Sequence, residues 1–140
     1  MTGTSEKLAA AHSGLYRAPP SVDPLRHAAA AAKLAWVNVD LQGVDAKGRL
    51  LAVCAQALDF PDTFGANWDA LADCLQDLAW QRAAGYVLHL RNAAGFARAA
   101  PEDYATALEI LGDAATFWRE RGTAFIVLVD GGSELPWFAS

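Results

Sequence analysis

Five consecutive apolar residues, Phe125-Ile126-Val127-Leu128-Val129, constrain this chain more than any other stretch. A strand without polar alternation has no water-facing side, so the run reads as a strand covered on both faces, as in parallel sheets. A second run, Tyr86 to Leu90, follows Gly85 and is apolar enough for the middle of the same sheet. Trp36-Val37-Asn38-Val39-Asp40-Leu41 alternates and reads as a further strand. Helical patterns lie between them. Asp45 is placed to cap a helix from Ala46 to Leu58, with Leu51, Cys54 and Leu58 on one face. A second helix runs from Asn67 to Ala79, its apolar face formed by Trp68, Leu71, Leu75 and Leu78. Asn92 to Ala100 carries no element in this reading. Pro101 then opens the best-marked helix, with Glu102 and Asp103 in its first turn and Gly122 at its end. The order strand, helix, helix, strand, helix, strand implies an α/β fold: a small, largely parallel three-stranded sheet packed against helices.

A length of 140 residues fits one domain with a real core. Pro19 and Pro20, among Ser, Gly and Thr, break any helix in the first 24 residues. That segment is expected to lie on the domain as an arm or to stay flexible, with Leu15 and Tyr16 as anchors. Leu25 to Ala35 is alanine-rich and helical. The chain therefore divides into an N-terminal extension, 1–35, partly flexible or helical, a domain over 36–130, and a tail, 131–140. Pro136-Trp137-Phe138 in that tail is expected to fold back onto the domain.

Sixteen acids against 11 bases give a net charge of -5, and the arginines are scattered. Phosphate binders usually cluster Lys and Arg, so nucleic acid is not the expected partner. The charge would steer a positively charged protein; it would equally serve solubility alone. The two cysteines, Cys54 and Cys74, are set among apolar residues, and no signal peptide is visible. The apolar stretch Ala28 to Ala32 is too short to span a bilayer. The expected setting is the cytoplasm, with reduced thiols and no membrane contact.

Catalytic patterns are not found. His12, His27 and His89 are far apart, and no His or Cys pair has zinc-like spacing, so no metal is expected. His89 shares a strand face with Val87 and Arg91 and reads as an ordinary structural or surface residue. Gly131-Gly132 is followed by neither Lys nor helix, and Ser133 lacks a nucleophile-elbow context. Asp73 and Asp77 near Cys74 raise a thiol pKa, the wrong direction for a nucleophile. The chain reads as a binding protein with no cofactor rather than an enzyme.

Asp69 and Asp73 stand four residues apart and so stack on one helix face, continued by Gln76 and Trp80. Like charges at this spacing cost an isolated helix a few tenths of a kcal/mol, and no Lys or Arg lies four residues on to compensate. A solvated helix face and a cationic partner both explain the pattern. Phe64 and Gly65 look like a shaped contact loop, and Ala72 leaves room for an incoming side chain.

The segment from Phe60 through Pro61, Asp62, Thr63, Phe64, Gly65, Ala66, Asn67, Trp68, Asp69, Ala70, Leu71, Ala72, Asp73 and Cys74 to Leu75 resembles the signature of the barstar family, intracellular inhibitors of barnase-type ribonucleases. The wider resemblance covers about Trp36 to Val129. It implies a barstar-like fold and a partner that is a basic protein, a secreted-type ribonuclease or a related toxin. It also implies that an acidic helix and its preceding loop plug the partner's active site, with carboxylates in place of RNA phosphates. Asp73 then becomes the central anchor and Asp69 its neighbour. Thr63, Phe64, Gly65 and Asn67 form the shaping loop, and Ala72 and Gln76 give secondary contacts. Thr63 and Ala72 stand where the best-known member has an aromatic residue and a tryptophan, and Phe117 stands near the place of an acidic contact. Those departures point to another ribonuclease or a different basic toxin. An immunity or binding protein on the same fold for a non-ribonuclease basic partner is the alternative. The free protein is expected to be a monomer, its inhibitory surface open.

Overall fold

The structure is a computed structural model describing residues 8–80 and 82–138. Its four strands, β1 (Gly14–Arg17), β2 (Ala35–Asp40), β3 (Gly85–Arg91) and β4 (Ala124–Val129), form one sheet in the order β1-β4-β3-β2. Every pairing is parallel. All six residues of β4 are buried, as its unbroken apolar run requires. The close approach of β3 to β4 is read at Gly85, where a Cβ would lie 2.9 Å from the Ala124 carbonyl oxygen.

The expected three strands are corrected to four. Gly14–Arg17, read from sequence as part of an arm, pairs with Ile126 to Val129 of β4. Ser13 sets up this pairing from a buried position. Its hydroxyl donates to the Ala10 carbonyl at 2.8 Å and accepts from the Phe125 amide at 2.9 Å. The tail covers the outer side of β1, as expected. The Arg17 amide donates to Pro136 O at 2.6 Å, and the Phe138 amide donates to Arg17 O at 3.1 Å. Phe138 is buried edge-on against Tyr16, 4.9 Å between ring centroids.

Helix α1 (Asp23–Ala31) packs Leu25 and Ala29 on one sheet face, against Val87, Ile126 and Leu128. The other face carries α2 (Lys47–Ala57), α3 (Trp68–Leu75), α4 (Ala93–Ala99) and α5 (Pro101–Glu120), with the larger core between them and the sheet. The split follows from handedness. The β1-to-β2 connection runs across the sheet opposite to the later ones, and right-handed crossovers put its helix on the opposite face.

Three local expectations change. The residue preceding α2 is Ala46, without a side-chain cap, and Asp45 instead lies 3.8 Å from Arg49 Nε on the surface. Residues 93–99, read as a connection, form α4 because Phe96 is driven into the core, 1% exposed. Helix α3 stops at Leu75, short of the expected Ala79, and Leu78 reaches the core from a left-handed backbone position, φ 50°. Among the described residues no helix is long and apolar enough to cross a membrane.

The tail clamp makes a direct prediction. Phe138→Ala should destabilise the fold by about 3 kcal/mol, the usual loss for a buried aromatic side chain. Urea unfolding measures it, and a loss below about 0.5 kcal/mol, the surface range, would show that the tail does not hold β1 in solution.

Candidate partner-binding site

The loop before α3 is built on apolar anchors. Phe60 is buried, its amide donating to Ala55 O at 2.9 Å as the chain leaves α2. Phe64 packs on it with tilted rings at 4.9 Å between centroids, and Trp80 meets Phe60 edge-on at 6.0 Å. Trp80 Nε1 donates to Leu58 O at 3.0 Å, closing the base of the loop. The loop is thus fixed by three rings and presents Thr63 and Gly65 to solvent.

Asn67 then starts α3 as its N-cap. Its Oδ1 accepts from the Ala70 amide at 2.7 Å, and its Nδ2 lies 3.4 Å from Gly65 O. Ahead of it Ala66 takes a left-handed conformation, φ 53°. A Cβ at Gly65 would lie 3.3 Å from Asn67 Nδ2, so the tight approach favours glycine there. At the other end Trp118 Nε1 of α5 donates to Leu75 O at 2.8 Å, satisfying a terminal helix carbonyl.

Leu71 and Leu75 are buried, and their rotation fixes what faces outward. Asp69 and Asp73 are exposed, Ala72 and Gln76 half-buried. The structure brings Thr63, Phe64, Gly65, Asn67, Asp69, Ala72, Asp73 and Gln76 into one continuous loop-and-helix segment. Among the described residues neither Asp69 nor Asp73 has an ion-pair partner. Lys47 of α2 lies with its Nζ 5.5 Å from the centroid of the Trp68 ring, and Arg121 stacks at 3.5 Å over Phe117. Both cations thus lie over aromatic rings. The Lys47–Trp68 contact and the Trp80 and Trp118 hydrogen bonds escaped the sequence reading, since their partners are distant in the chain.

The cysteines beside this helix are held protonated. Burial pushes the Cys54 thiol up to about 12. Cys74 is raised by burial, then by Asp77 and Asp73. Neither is a thiolate nucleophile near neutral pH. Among the described residues no cluster of three or more His, Cys, Asp or Glu is arranged to hold a metal ion. The segment offers hydrogen-bond acceptors and negative charge on a rigid support, chemistry suited to meeting cations.

The family model described as Barstar (barnase inhibitor) matches residues 34–130, more than half of the chain. No curated protein matches the chain.

Two predictions concern the support. Asn67→Ala should cost about 1 kcal/mol by urea unfolding, with Asn67→Asp restoring most of it; equal losses in both variants would contradict the capping role. For Cys54 the folded state holds its proton more tightly than the ordinary thiol value of 9.0 allows. Its contribution to stability is therefore complete below that value and lost as pH rises towards about 12. Over that window Cys54→Ala should flatten the pH dependence of stability by about 1.4 kcal/mol per pH unit. Unchanged slopes would mean that the thiol ionises without unfolding cost.

Proposed function

Because this chain belongs to the barstar family, we propose that it is a protein inhibitor that binds and blocks a basic ribonuclease through α3 and the loop before it. The supporting observation is the pair Asp69 and Asp73, exposed and without an internal cation among the described residues, on a helix held rigid at both ends. An uncompensated carboxylate pair destabilises the helix slightly, and a cleft lined by Arg, Lys or His would turn it to advantage. A helix whose buried face is locked by Leu71 and Leu75 presents the pair with little ordering to lose on association.

In this reading Asp73 is the central anchor and Asp69 its neighbour. Phe64, Gly65 and Asn67 shape the approach, with Thr63, Ala72 and Gln76 as flanking contacts. The protein acts by occlusion and performs no chemistry. It works in the cytoplasm as a free monomer, and the domain over 36–130 carries the binding surface. The second reading keeps the surface and changes the target to a basic protein that is not a ribonuclease. The small side chains Thr63 and Ala72 favour it, because they leave the rim of the site without large aromatic anchors.

Capture from the native host by wild type and by Asp73→Ala tests the proposal. The wild type should retain one small basic protein with ribonuclease activity that the bound inhibitor silences. Asp73→Ala should fold normally and bind it about a hundredfold more weakly, since removing one member of a desolvated charge pair costs about 3 kcal/mol or more. Equal capture by both would remove α3 from the site, whereas a captured protein without nuclease activity would select the second reading. Association should also slow as salt is raised, the mark of electrostatic steering.

A further inference from the structure

The face of the sheet under α1 changes character along the strands. On β2 the residues facing this side run Trp36, Asn38, Asp40; on β3 they run Val87, His89, Arg91; on β4, Ile126 and Leu128 lead into Asp130. Each series begins apolar and ends polar towards the C-terminal end of its strand. Helix α1 covers the apolar half with Leu25 and Ala29. The polar half is left as a cleft of about 340 Å³, walled by Pro19, Pro20 and Val22 and lined by Arg26, Asn38, His89, Arg91 and Asp130. A sheet covered on both faces normally continues its apolar pattern to the strand ends. Here the break occurs at the C-terminal edge, where open parallel sheets place their ligands.

Two arginines, Arg26 and Arg91, meet two carboxylates at this end of the face, Asp130 in the cleft and Asp40 beside it. Asp130 supplies the cleft's one carboxylate, and both oxygens are engaged: Oδ1 lies 2.8 Å from His89 Nε2, and Oδ2 accepts from the Asn92 amide at 3.3 Å. Arg26 and Arg91 are exposed, and among the described residues neither is in a close ion pair, although Arg91 stands opposite Asp40 and helps to lower the pKa of that carboxyl. Arg26 lies over the Trp36 ring at 5.8 Å, which holds its guanidinium beside the cleft. His89 forms the floor, 7% exposed and edge-on to the same Trp36 ring. The arrangement is two exposed guanidiniums, outside any close ion pair, at a cleft floored by an imidazole that meets a carboxylate. Guanidinium forks recognise phosphate oxygens in two-pronged fashion.

We propose that this cleft binds a small phosphorylated molecule, its phosphate held by Arg26 and Arg91 over His89. The cleft opens on the α1 face, whereas α3 packs on the other face, so this site is separate from the acidic surface. Its volume exceeds that of a bare phosphate and falls at the lower end of small-molecule sites.

Trp36 Nε1–H, which donates to Asn38 Oδ1 at 3.1 Å, provides a reporter at the rim. Two-dimensional NMR of the full chain, titrated with inorganic phosphate and separately with ribose 5-phosphate at constant ionic strength, should show saturable shifts of that resonance and of the His89 ring. Arg26→Gln and Arg91→Gln should each weaken binding about tenfold, and the double variant should abolish it. Asp69→Asn with Asp73→Asn should leave it unchanged. Equal affinity for the two probes supports a free-anion site, and tighter binding of the sugar phosphate supports an organic phosphate; both uphold the shared chemistry. The absence of saturable shifts with either probe at millimolar concentration would overturn the proposal. Shifts that persist equally in the double arginine variant would overturn it as well.

Discussion

The parallel pairing of β4 with neighbours on both sides is the constraint on which the rest of this structure depends. All six β4 residues are buried, so the strand needs partners at both edges and cover on both faces. Backbone groups buried in this way must be hydrogen-bonded, and here a second neighbouring strand, with the Ser13 hydroxyl on the Phe125 amide, satisfies the outer edge. β1 meets that need, held by Ser13 at one end and by the tail at the other. Gly14–Arg17 is therefore a strand of the sheet, and Pro136 to Phe138 bond along its outer edge. The family match begins at residue 34, after both β1 and α1.

With the sheet fixed, the acidic helix has little freedom. Leu71 and Leu75 sit in the core, Asn67 closes the first turn, and Trp118 takes a carbonyl at the last. The rotation that buries the leucines sends Asp69 and Asp73 to solvent. Cys74, at the edge of that core, is raised by its burial and by Asp77 and Asp73, so the thiol stays quiet beside the charges. The preceding loop is rigid for a different reason, being pinned by the Phe60, Phe64 and Trp80 rings rather than by backbone ladder bonds.

The two sheet faces divide the chemistry. Negative charge projects from the helical layer that contains α3, while the side under α1 ends in a cleft with exposed arginines. Asn92 ties the strand ends together from a left-handed position. Its Nδ2 donates to Asp40 Oδ1 at 2.8 Å, and its amide donates to Asp130. The bond to Asn92, then that to the Gln42 amide, holds the Asp40 carboxyl below its usual range. This network links the ends of β2, β3 and β4 where His89 and Arg91 emerge.

The sequence by itself determined the features that rest on local pattern. The apolar runs at 86–90 and 125–129 and the periodicity of 101–120 were legible because strand and helix periods and turn residues are written in neighbouring positions, and the segment from Phe60 to Leu75 was legible through its family resemblance. The spacing of Asp69 and Asp73 was legible from neighbouring positions too. Tertiary structure decided what depends on distant partners. Gly14–Arg17 is too short to declare itself a strand and becomes one only by pairing with Ile126 to Val129. Phe96 makes α4 a core element, and Trp118 finishes a helix 43 residues earlier. His89, an isolated residue in the sequence, meets Asp130 across 41 residues and, with Arg26 and Arg91, lines a cleft. Pattern along the chain fixes which face of an element is apolar; only packing between elements fixes which polar groups converge.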